Sequence, residues 1–68
     1  MKVQSSINGN VYETNDCVYL VNPLQVYKYI LNDAFPLDIK AGEDNKLVFV
    51  YNRADSKNLY DKWCKREL

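Results

Sequence analysis

The sequence predicts a single α+β domain over residues 1–68: a small antiparallel-rich sheet with two helices packed on one face, in the order (ββ)-β-α-β-β-α. Two short apolar runs, Cys17-Val18-Tyr19-Leu20-Val21 and Leu47-Val48-Phe49-Val50-Tyr51, are rich in β-branched and aromatic residues and are bounded by turn formers, as strands are. Each run leads into a helix-start signal, Asn22-Pro23 after the first and Asn52 with Asp55 after the second. Between the first helix and the second run, Leu37, Ile39 and Ala41 alternate with Asp38 and Lys40 ahead of the polar turn Gly42-Glu43-Asp44-Asn45.

From the N-terminus, Lys2 to Ile7 alternates weakly and runs into Asn8-Gly9, the strongest short hairpin signal, because a type I′ turn needs positive φ at both central positions. A hairpin of Lys2–Ile7 with Asn10–Thr14 is expected, and Asn15-Asp16 makes the next turn. Cys17–Val21 reads as a strand covered on both faces. In the first helix Pro23, Tyr27, Ile30, Leu31 and Ala34 share a stripe that Val26 widens, while Gln25, Lys28 and Asn32 face away. Phe35-Pro36 should end it, since a residue before proline is pushed out of the α region.

The alternating strand 37–41 reads as an edge and the doubly apolar strand 46–51 as internal. In the last helix Ser56, Leu59, Tyr60, Trp63, Cys64 and Glu67 mark one face, with Lys57, Lys62, Lys65 and Arg66 mostly off it. Trp63 is the expected core anchor.

Composition narrows the function classes. At 47% hydrophobic and 26% charged the chain is globular, and no apolar run is long enough to span a membrane. Nine basic and nine acidic residues balance, without the basic excess that a dedicated nucleic-acid binder carries. There is no histidine, hence no common general base, cysteine activator or zinc ligand, and Gly9 and Gly42 are too isolated for a phosphate loop. An enzyme is not expected, and no cofactor or metal. Cys17 and Cys64 would close a 48-residue loop as a disulfide, but in the expected cytoplasmic setting they should be free, Cys64 core-facing beside Trp63. The N-terminus lacks the apolar core of a secretory signal, so the Lys65-Arg66-Glu67-Leu68 ending is not read as an ER-retention tail.

The stretch from Val21 to Leu68 resembles a group of short, uncharacterised proteins of Gram-positive bacteria and their phages. The resemblance is carried by Asn22-Pro23 with Gln25, Tyr29-Ile30, Pro36-Leu37-Asp38-Ile39, Leu47–Tyr51 and, most distinctively, Leu59-Tyr60-Asp61-Lys62-Trp63-Cys64-Lys65-Arg66-Glu67-Leu68. Where that group carries Gly after the first helix, this chain has Ala34-Phe35. The resemblance implies a fold and a phage or mobile-element origin, and no activity. The eight Asn, seven Lys and six Tyr agree with an AT-rich coding sequence.

Two helices can cover one face of a sheet and not both. Either Leu47, Phe49 and Tyr51 or Val48 and Val50 must point away from them, under the N-terminal hairpin or a second molecule. Tyr12, Tyr19, Phe49 and Tyr51 are therefore the candidate protein-interface residues, with Tyr12 placed to lie across Phe49. The expectation is a small interaction module that binds and modulates a host protein of the defence, replication or transcription machinery, and forms a homodimer. The alternative is a nucleic-acid-associated regulator using Lys57, Lys62, Lys65 and Arg66.

Overall fold

The computed structural model describes residues 1–68. Strands β1 (Lys2–Gln4) and β2 (Val11–Glu13) form an antiparallel hairpin. A short 3-10 turn, Thr14–Asp16, leads into β3 (Cys17–Leu20), then helix α1 (Pro23–Leu31), β4 (Asp38–Ala41), β5 (Leu47–Asn52) and helix α2 (Arg53–Cys64). The main sheet is fully antiparallel in the order β3-β5-β4, so the doubly apolar strand is central and the alternating strand is an edge. The α+β class and element order are those the sequence predicts.

Register sets which side chains share a face, because residues directly opposite in an antiparallel pair point the same way. Val18 pairs with Tyr51, and Leu20 and Ile39 flank Phe49. These positions face the helices. Leu20 and Tyr51 form one core with Val26 and Tyr29 of α1, against which Val18, Ala34, Phe49, Leu59, Trp63 and Leu68 pack. The opposite face carries Cys17, Tyr19, Val50, Asp38 and Lys40. There Tyr12 of the hairpin closes over Cys17 and Val50, with Val3 and Leu37 beside it. The molecule thus has three layers: hairpin, sheet and helices. The hairpin provides the second cover.

This arrangement corrects the interface residues expected from sequence. Phe49 and Tyr51 face the helices, and Tyr12 lies across Val50 on the far side of the sheet rather than across Phe49. Tyr12 and Tyr51 are buried within the chain; of the four, only Tyr19 is half exposed. Strand β3 is accordingly an edge with an open outer position, not a strand covered on both faces.

The hairpin turn also differs. Strand pairing stops at Gln4 and resumes at Val11, and only Gly9 of the Asn8-Gly9 pair has positive φ, at 75°. The loop is longer because its start is bonded to β4. Ser5 Oγ donates to the Leu37 carbonyl at 2.5 Å, and Ser6 donates to Asp38 Oδ1 through its amide at 3.0 Å and its hydroxyl at 2.6 Å. A two-residue turn with two positive φ values occurs instead between β4 and β5. Asp44 and Asn45 have φ of 56° and 61°, and the Lys46 amide donates to the Glu43 carbonyl at 3.1 Å.

Helix starts follow the sequence closely. Asn22 Oδ1 accepts from the amides of Leu24 and Gln25, and Asn52 Oδ1 from that of Asp55. Helix ends do not. Helix α1 stops at Leu31, ahead of Phe35-Pro36, because Asp33 turns left-handed at φ 63°. The Ala34 and Asp33 amides donate back to the carbonyls of Tyr29 and Ile30, the paired bonds of a Schellman motif. Helix α2 ends the same way: Arg66 has φ 59°, and Glu67 and Arg66 donate to Lys62 and Trp63.

The buried face of α1 is Gln25, Val26 and Tyr29. Gln25, expected to face away, is inside because its amide donates to the Tyr29 hydroxyl at 3.0 Å. Pro23, Tyr27, Ile30 and Leu31, expected inside, are exposed. On α2 the inward stripe is Ser56, Leu59 and Trp63, with Ser56 fully buried and Trp63 half-buried, while Tyr60 and Cys64 lie outside it. Cys64 is exposed rather than core-facing.

Candidate interaction surface

Helix α1 is apolar on two opposite sides. One side is the buried face just described. The other carries Leu24, Tyr27 and Leu31, which are 54%, 58% and 64% exposed. Their i, i+3, i+7 spacing keeps them on one line along the helix. Val21 precedes the stripe and Phe35 follows it, both more than half exposed. Beside the N-terminal end of α1, Val21, Pro23, Lys46, Leu47 and Phe49 form a groove of about 390 Å³. This is an unusual place for solvent-facing side chains: a helix with one packed face normally turns a polar face outward. No sequence signal for the patch was missing. Tyr27 and Leu31 belong to the stripe that the sequence predicts for the core, whereas Leu24, Val21 and Phe35 stand outside it.

Charge frames the patch. Lys46 lies beside Pro23 at the N-terminal end of α1, and Asp33 stands just past its C-terminal end. Neither belongs to an ion pair; the two present are Met1–Glu13 and Lys57–Asp61. Lys28, the one cation on the helix itself, donates to the Leu68 carbonyl at 2.7 Å and is drawn towards the end of the chain.

A second cluster lies between hairpin and sheet. The alternation of strand 37–41 predicts Asp38 on the solvent side of an edge strand, yet it is 2% exposed. Its carboxylate accepts from the Ser6 amide and hydroxyl, from the Tyr12 hydroxyl at 2.8 Å and from the Ile39 amide at 2.9 Å. The Ser6 and Tyr12 hydroxyls outweigh burial and hold the Asp38 carboxyl at a pKa of about 2. Burial, reinforced by Asp38, raises the Tyr12 phenol. Lys40 sits 5.9 Å from the centre of the Tyr12 ring, within cation–π range. Every buried polar side-chain atom has a partner, so this cluster is a finished structural latch.

The remaining candidates do not assemble into a site. Cys17 lies under the hairpin, where burial foremost, with Asp16, raises its thiol pKa, and Cys64 lies on α2. Nowhere do three His, Cys, Asp or Glu side chains meet to hold a metal ion. Lys57, Lys62, Lys65 and Arg66 form no continuous basic stripe. Asp61 falls between Lys57 and Lys65 on the helix surface and pairs with Lys57 at 3.2 Å, and Arg66 is past the helix in its left-handed exit. Arg53 is held at the start of β3, donating to the carbonyls of Asn15 and Cys17 at 3.3 and 3.2 Å. No helix is long and apolar enough to cross a membrane. In comparison with known proteins, no family model, no curated protein and no solved structure matches this chain.

Proposed function

We propose that this chain is a small non-enzymatic protein-interaction module whose binding surface is the outer face of α1 with the Val21–Leu47 groove. The observation that carries this reading is the stripe of Leu24, Tyr27 and Leu31, left in solvent although the opposite face of the same helix already supplies the core. Contiguous apolar surface bounded by charge is the usual mark of a protein-docking site, and aromatic anchors such as Tyr27 carry much of the energy there. The resemblance of residues 21–68 to short proteins of Gram-positive bacteria and their phages supports a phage or mobile-element origin for the module, and cytoplasm as the place where it works.

A photo-crosslinking residue at position 27, in cells, tests this. Position 27 should yield a defined adduct that Leu31→Glu abolishes. A control probe at exposed Lys2 on the hairpin should not. Equal, Leu31-independent labelling from both positions would remove the interaction reading.

A further inference from the structure

We propose that the outer face of α1 closes on a second copy of the same chain, with two α1 helices antiparallel across a two-fold axis. This rests on the interaction reading above and names its partner. The stripe has the spacing of a helix–helix seam, in which residues three and four apart alternate along the contact line. A two-fold axis passing between Tyr27 and Lys28 places Leu24 against the second copy's Leu31 and brings Tyr27 close beside its symmetry mate. One patch then complements itself, as an isologous interface requires.

The charges select the direction. Lys46 marks one end of the stripe and Asp33 the other, both exposed and outside any ion pair. In the antiparallel arrangement each Asp33 approaches Lys46 and the positive N-terminal end of the opposing helix, and both interactions are favourable. A parallel arrangement would set Lys46 against Lys46 and Asp33 against Asp33. Lys28, which flanks the seam between Leu24 and Leu31, has its ammonium group bonded to the Leu68 carbonyl.

The chain as a whole is less compact than its size requires. It exposes 5029 Å², whereas a folded monomer of 8.0 kDa exposes about 4,400 Å² on the usual scaling. The radius of gyration, 11.9 Å, likewise exceeds the ~11 Å expected for this length.

Sedimentation equilibrium at micromolar concentration, with the full chain, decides the matter. The expected mass is twice the 8.0 kDa of one chain. Leu31→Glu, a change at an exposed position, should give a monomer with unaltered far-UV circular dichroism. Lys46→Glu should weaken the dimer about tenfold through two repulsive Glu–Asp contacts, and Lys46→Glu with Asp33→Lys should restore it. A wild-type monomer at the highest attainable concentration overturns self-association and leaves the crosslinking result to judge a foreign partner. A dimer indifferent to Leu31→Glu overturns the face. A dimer weakened by Leu31→Glu but not by Lys46→Glu overturns the antiparallel register.

Discussion

The ring of Tyr51 meets the ring of Tyr29 edge-on, with centroids 5.3 Å apart and planes at 81°. This contact joins the central strand to α1 at the middle of the core, and both hydroxyls are used. Tyr29 accepts from Gln25, and Tyr51 donates to the Ala34 carbonyl at 2.9 Å. Ala34 belongs to the Schellman exit of α1, so a single phenol ties the end of the helix to the sheet.

Tyr51→Phe therefore removes one hydrogen bond while keeping the ring contact. The expected cost is about 1 kcal/mol, with part of it from the Ala34 carbonyl losing its partner. Burial foremost pushes the Tyr51 phenol up to about 12. A folded-state pKa above the unfolded value near 10 means that its contribution is intact below pH 10 and is lost as pH rises towards 12. Urea titrations of wild type and Tyr51→Phe should show a shallower alkaline loss in the variant. Parallel alkaline profiles would place the Tyr51 hydroxyl in solvent.

Acid works through Asp38. Its folded pKa of about 2 lies below the unfolded 3.8, so the stabilisation is fully present above about pH 4 and disappears as pH falls through 2. The loss should begin in the hairpin, since Ser6 and Tyr12 are the partners released. Asp38→Asn should lower the melting temperature at neutral pH and flatten its fall between pH 4 and 2. An unchanged acid slope in Asp38→Asn would assign that transition to other carboxylates.

Much of the fold was legible in local chemistry, and the failures have identifiable causes. Asn22-Pro23 and Asn52 announce their helices through a cap read from adjacent residues, and the strand order follows from which strand is apolar on both faces. The exits were not legible, because Asp33 and Arg66 take a conformation that sequence rules reserve for glycine. Bonds made by polar side chains caused the other misreadings. Gln25 is buried by Tyr29 from one turn on, Asp38 is buried by a hairpin 26 to 32 residues away, and the Asn8-Gly9 turn gives way to bonds from Ser5 and Ser6 to β4. The candidate surface was invisible for a related reason. A helix with two apolar sides cannot reveal from periodicity which side the sheet takes.

The left-handed exits can be improved. A non-glycine residue in this conformation costs roughly 1–2 kcal/mol, and glycine gives back roughly 0.5–1 in unfolded-state entropy. Arg66→Gly should therefore stabilise the chain by about 0.5–1 kcal/mol in urea denaturation, with Arg66→Ala giving no gain. Equal effects of Gly and Ala would mean that Arg66 is not held left-handed in solution.

The two cysteines report on different layers, which allows hairpin release to be separated from global unfolding. Cys64 is exposed on α2, whereas Cys17 is buried beneath Tyr12 and donates to the Glu13 carbonyl at 3.2 Å. In the native protein a thiol reagent should modify Cys64 promptly and Cys17 slowly, at a rate set by opening of the structure above it. That structure is the hairpin, anchored by the Asp38 carboxylate. Asp38→Asn should accelerate Cys17 modification by more than its effect on global stability predicts, while leaving Cys64 unchanged. Replacing Cys64 with Ser simplifies the measurement to a single thiol. If Cys17 modification instead follows the global unfolding constant in both proteins, the hairpin does not open on its own, and the Asp38 latch is one cooperative unit with the sheet.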